Sequence, residues 1–238
     1  MLAVAAALVA FATTGAAGRG DPAQRIAIVS DLPSSGAGVP PQESYVTRLQ
    51  AARPGDQVVA ITRSGATVRR WQITWSRALR HELRVSRPDV VVLALGGSDF
   101  YLGRPPTTFG DQLVELAGVV RAAVGDVELV FVHYYEPAAR DLSACDIGAC
   151  LILGQVAHVG GTPAGSLGGP LVESGVAAPW SDYGVAASLA AAQAGAGYVD
   201  VSTAAPWRSH LLGDRRHLGV EGHRLYAQAL TEVIGESS

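Results

Sequence analysis

A chain of 238 residues with 48% hydrophobic content can supply one sizeable core and shows no sign of a second. Its net charge of −3 is spread evenly, and all 18 basic residues are Arg. There is no basic stripe for nucleic acid and no acidic tail for a charged partner.

The first segment, residues 2–12, is continuously apolar and runs into Thr13-Thr14-Gly15-Ala16-Ala17-Gly18. A hydrophobic stretch followed by small residues is the pattern of a secretory signal. A membrane anchor is the alternative, but the strongly apolar part is shorter than the roughly 20 residues a span needs. Residues 1–18 are therefore expected to be a signal-peptide-like or anchoring segment, and residues 19–238 one domain. The expected location is secreted or in the cell envelope.

Strand-like apolar runs follow at 25–30, 57–62, 89–95, 127–133 and 197–201. Helical patterns lie between them at about 41–52, 67–84, 108–124 and 183–194, with a last one at about 221–235. Strands and helices alternating at this spacing predict a mainly parallel five-stranded sheet covered on both faces, a three-layer α/β/α sandwich. Residues 135–179 form a long connection without periodicity, and an irregular loop of this length is functional or disordered. It contains Cys145-Asp146-Ile147-Gly148-Ala149-Cys150. Two cysteines beside an export signal suggest a local disulfide; with no further ligands at suitable spacing, a metal site is not expected.

In a parallel α/β sheet the ligand site lies at the carboxyl ends of the strands. Ser30–Leu32 ends the first strand, Gly65 follows the second, Gly96–Asp99 the third and His133–Glu136 the fourth. Asp214 and His217 lie in the loop after the fifth. A carboxylate three residues before a histidine at the mouth of a helix can hold one imidazole nitrogen while the other faces a cleft. His223, inside the last helical pattern, reads as structural. Asp99 reads as a turn or cap residue. Tyr134, Tyr135, Trp180, Tyr183 and Trp207 are candidates for pocket walls, though aromatic residues are more often core.

The block Asp214-Arg215-Arg216-His217-Leu218-Gly219-Val220-Glu221-Gly222-His223 resembles the last conserved block of the SGNH, or GDSL-type, hydrolases, serine esterases and lipases. Gly36–Tyr45 is similar to the segment after that family's nucleophile. Ser64-Gly65-Ala66-Thr67 is similar to its second block, and Leu95-Gly96-Gly97-Ser98-Asp99 to its third, G-x-N-D. The resemblance implies a flavodoxin-like strand order and ester hydrolysis. It further implies His217 as base, Asp214 as the acid that orients it, and Gly65 and Ser98 at the oxyanion positions. The implied substrate is a small-molecule ester or an acylated glycan, with no cofactor, no metal and no nucleic acid. Any membrane contact is expected only through the N-terminal segment, and the chain is expected to be a monomer.

The chain departs from the family where its chemistry starts. The first strand should end in G-D-S-L with a nucleophilic serine, and here the residues are Ser30-Asp31-Leu32-Pro33. A gapless alignment puts Leu32 at the nucleophile position, and a one-residue slip puts Asp31 there. Ser34, Ser35 and Ser30 are the possible substitutes. Ser98 occupies the position of the oxyanion asparagine. These departures keep a second reading open: a degenerate domain that binds an acylated or glycan ligand without turnover. Acyl transfer on the same scaffold is a third.

Overall fold

The computed structural model describes residues 23–31, 39–136, 178–212 and 217–236. Five parallel strands form one sheet: β1 (Arg25–Ser30), β2 (Gln57–Thr62), β3 (Val90–Ala94), β4 (Glu128–His133) and β5 (Gly197–Asp200). Their order is β2-β1-β3-β4-β5. Every β3 residue is buried. An all-apolar Val-Val-Val-Leu-Ala run is what a central strand covered on both faces requires.

Seven α-helices are described: α1 (Tyr45–Ala52), α2 (Val68–Gln72), α3 (Ser76–Ser86), α4 (Gly97–Tyr101), α5 (Pro106–Val124), α6 (Trp180–Ala194) and α7 (Val220–Glu236). Helix α1 pairs with α7, while α2, α3 and α6 pack about α5. Local chemistry sets the helix ends. Ser44 caps α1 by accepting the Thr47 N–H at 3.3 Å. Pro106 opens α5, where its missing N–H costs no hydrogen bond. Gly195 closes α6 at φ 60°, a left-handed conformation that glycine adopts without strain.

The single helix expected over 67–84 is two helices. The chain turns at Ile73–Trp75, where the Trp75 N–H reaches back to the Arg70 carbonyl at 3.0 Å. The break brings Trp71 and Trp75 edge to face at 5.5 Å, with Trp71 fully buried. Tertiary burial of two indoles thus overrides a helical period. Helix α4 was not expected at all, being a single turn that starts directly at the end of β3.

This strand order reverses direction between β1 and β3. Chains leaving those two strands diverge to opposite faces and leave a crevice at their carboxyl ends. The candidate residues after β1 and β3 border that crevice.

Candidate active site

Asp31 follows the last residue of β1 and is fully buried. Its carboxylate accepts the Ser98 N–H at 2.8 Å and the Tyr134 hydroxyl at 2.8 Å. The Tyr134 oxygen in turn accepts the Gly97 N–H at 2.5 Å. One buried carboxylate thus joins the ends of β1, β3 and β4, and each bond in the network forms out of water. Burial and the neighbouring Asp31 charge drive the Tyr134 hydroxyl well above its ordinary pKa, so it stays a donor. This arrangement fixes the Gly97–Ser98 backbone relative to β1 and commits the Ser98 N–H to Asp31.

Gly96 makes that approach possible. Its φ of 124° is forbidden to side chains, and a Cβ there would lie 3.0 Å from the Phe109 ring. Gly65 also has positive φ, 71°. It occupies the turn between β2 and α2, in which the Ala66 N–H bonds the Arg63 carbonyl at 3.1 Å. Thr67 then caps α2 by accepting the Arg70 N–H at 3.2 Å.

His217 is half-buried and lies in a paired segment. Leu211 and Leu218 form an antiparallel bridge, the Leu212 N–H bonds the His217 carbonyl, and the Gly219 N–H bonds the His210 carbonyl, both at 2.8 Å. Asp214, with the rest of residues 213–216, lies outside the described residues, as do Leu32, Ser34 and Ser35. Cys145, Cys150 and residues 1–18 lie outside them too. Gly222 lets α7 come close: a Cβ there would be 3.0 Å from the His210 carbonyl oxygen.

His223, one turn into α7, is 1% exposed, and its Nδ1 accepts the Tyr45 N–H at 3.1 Å. That N–H is among the first of α1 and has no partner inside the helix. The imidazole therefore caps α1 from across the fold and stacks on the Tyr45 ring. Burial first, then the charges of Arg48 and His217, lower its pKa to about 4. His217 stands three residues ahead of α7, whose His223 caps α1, so the candidate base leads into the helix that packs on α1. The Tyr226 ring meets Tyr45 edge-on at 5.0 Å and Tyr135 at 6.4 Å, so α1, α7 and the end of β4 come together in one region.

Ser30 is fully buried within β1, in register with Thr62 and Ala94, and its hydroxyl finds no partner among the described residues. His133 is also buried, stacked on Trp180 at 4.6 Å, with burial holding its pKa below the ordinary range. Trp180 and Tyr183 belong to an aromatic core with Phe100 and Phe109. Trp207 packs near Tyr135 and Tyr226. Among the described residues, no group of three or more His, Cys, Asp or Glu is placed to hold a metal ion.

Sequence reasoning missed Asp31 and Tyr134 as the organisers of this edge. Their contacts span 67 and 103 residues, beyond any local pattern. The one available signal was the acid at the end of β1, read there only as an alternative for the nucleophile slot.

A sequence model described as the GDSL-like Lipase/Acylhydrolase family matches residues 16–225. No curated protein sequence matches the chain. Among solved structures, TesA superposes with a TM-score of 0.62 at 17% identity, covering 89% of this chain and 98% of its own. The psychrotrophic esterase EstA from Pseudoalteromonas sp. gives 0.61 at 16%, covering 91% and 98%. The acetyl xylan esterase AlAXEase gives 0.58 at 13%, covering 88% and 99%. At these identities the likeness is one of fold.

Proposed function

Since the chain belongs to the GDSL-like Lipase/Acylhydrolase family, we propose that it is an exported ester hydrolase whose acid–base pair is His217 and Asp214. The supporting observation is the convergence of the family's blocks on one crevice. The ends of β1 and β3 are locked together through Asp31, and the segment that carries His217 leads into α7, which packs on α1. His217 takes the proton of an attacking hydroxyl and returns it to the leaving alcohol, while Asp214 holds the other imidazole nitrogen. Gly65, through its amide, and Ser98, through its hydroxyl, receive the charge that develops on the carbonyl oxygen. Water then releases the acid.

The attacking hydroxyl is the weak point of this chain. Leu32 has none, Ser30 is sealed in the sheet, and Ser34 and Ser35 lie further on. Turnover of simple esters by the natural sequence is accordingly weak or absent. Leu32, together with a serine at position 98 where the family has its oxyanion asparagine, favours the second reading, a domain that binds an acylated or glycan ligand without turnover. Acyl transfer to a sugar hydroxyl would share the first half of the reaction.

Release of p-nitrophenol from short-chain esters tests the assignment. His217→Ala is expected to abolish whatever turnover the protein has. Asp214→Asn is expected to lower it by about 10³–10⁴-fold through lost imidazole orientation. Wild-type rates in both variants would remove these residues from the site. Export further implies a Cys145–Cys150 bond, a short local closure. Two alkylatable thiols in protein purified under oxidising conditions would count against both.

A further inference from the structure

Asp99 carries a buried carboxyl that the reaction above does not use. It is fully buried in the first turn after β3. Its Oδ2 accepts the Val68 N–H at 3.0 Å, from a residue 31 positions away at the start of α2. Its Oδ1 has no hydrogen-bond partner among the described residues and lies 3.6 Å from Arg104 Nε, likewise without one. This is not a closed ion pair. The carboxyl's one firm bond is to α2.

Val68 is three residues past Gly65, and the intervening turn is braced. The Ala66 N–H bonds the Arg63 carbonyl, Thr67 caps the helix, and the Arg70 guanidinium reaches the Gly65 carbonyl at 3.5 Å. A displacement of the first turn of α2 is therefore carried to Gly65. Among the described residues no group accepts the Gly65 N–H, and Gly65 itself is only half-buried.

We propose that Asp99 is a positioning residue that sets the Gly65 amide, by holding the first turn of α2 against the end of β3. The proposal rests on the reading of Gly65 as an oxyanion donor. An ionised carboxylate is the stronger acceptor, so the grip on the Val68 N–H tightens when Asp99 loses its proton. The charged groups facing it are Asp31 from β1, which opposes ionisation, and Arg104 from the α4–α5 connection, which favours it. Burial dominates both and places the carboxyl at about 7. The alignment of Gly65 then changes across neutral pH.

Isotope-labelled protein followed by NMR from pH 5 to 9 tests this without any turnover. The Asp99 carboxyl carbon and the amides of Val68 and Gly65 are expected to titrate with one shared midpoint. In Asp99→Asn both amides are expected to lose that titration while the rest of the spectrum persists. A Gly65 amide that stays still while Val68 moves would reduce Asp99 to a helix cap and overturn the proposal. So would amides that titrate unchanged in Asp99→Asn, or that do not titrate at all. If Asp99→Asn does not fold, the shared or unshared midpoint in the natural protein decides. A Leu32→Ser variant that gains no ester hydrolysis would sink the functional reading and leave this result standing.

Discussion

His223 and Asp99 are both buried, and burial moves them in opposite directions. The folded-state pKa of His223 is about 4, against an ordinary 6.5. Its contribution to stability is fully present above pH 6.5 and is lost as pH falls through about 4. Asp99 is raised from 3.8 to about 7. Its contribution is present below about pH 4 and is lost as pH rises to about 7. At about 1.4 kcal/mol per pH unit, each is worth on the order of 3–4 kcal/mol. Between pH 4 and 6.5 the two slopes largely cancel. His223→Asn keeps an acceptor near the Tyr45 N–H and removes the titration. In that variant, urea unfolding is expected to show stability falling from pH 4.5 to 6.5. Asp99→Asn is expected to show it rising. Flat profiles in both would mean that neither group titrates between folded and unfolded states. The sequence allowed His223 to be read as structural, because it follows the catalytic-type block inside a helix. It did not show that the ring caps α1, since Tyr45 is 178 residues away.

Among the elements, the five strands were legible because each is a short apolar run, and their bounds fall within about two residues of those expected. The turn at Ile73–Trp75 and the single turn of α4 were not, because both answer to tertiary packing rather than to local period. The last block shows what a motif glycine does. Gly222 stands in the first turn of α7, where alanine would raise helix propensity by about 1 kcal/mol. A Cβ there, however, would fall 2.8 Å from Leu218 Cδ2 and 3.0 Å from the His210 carbonyl oxygen. Overpacking of this kind costs about 1–3 kcal/mol. Gly222→Ala is therefore expected to lose up to about 2 kcal/mol net and to disturb the paired segment that carries His217. Thermal unfolding of the variant at or above the natural midpoint would show that α7 does not need this close approach.

Over the whole molecule, function follows from where the sheet reverses. The order β2-β1-β3-β4-β5 opens the crevice between β1 and β3. Alternation of strands and helices predicted the parallel sheet, and the family resemblance supplied the order. The resemblance also located the blocks that border the crevice. It could not supply the Asp31–Tyr134 network, which exists only once three strand ends have met. The chain is thus a hydrolase-family scaffold with the framework at its sheet edge in place and, on a gapless alignment, a leucine at the nucleophile position. Leucine cannot attack a carbonyl, and were a helix to start at that point, Ser35 would stand one turn, roughly 5 Å, from that position. The decisive measurement is p-nitrophenyl ester hydrolysis by Leu32→Ser beside the natural protein. The account predicts at least about a tenfold rise, a barrier lowering of about 1.4 kcal/mol, that disappears when His217→Ala is added. Robust hydrolysis by the natural protein that is lost in Ser34→Ala or Ser35→Ala, with Leu32→Ser inert, would contradict it.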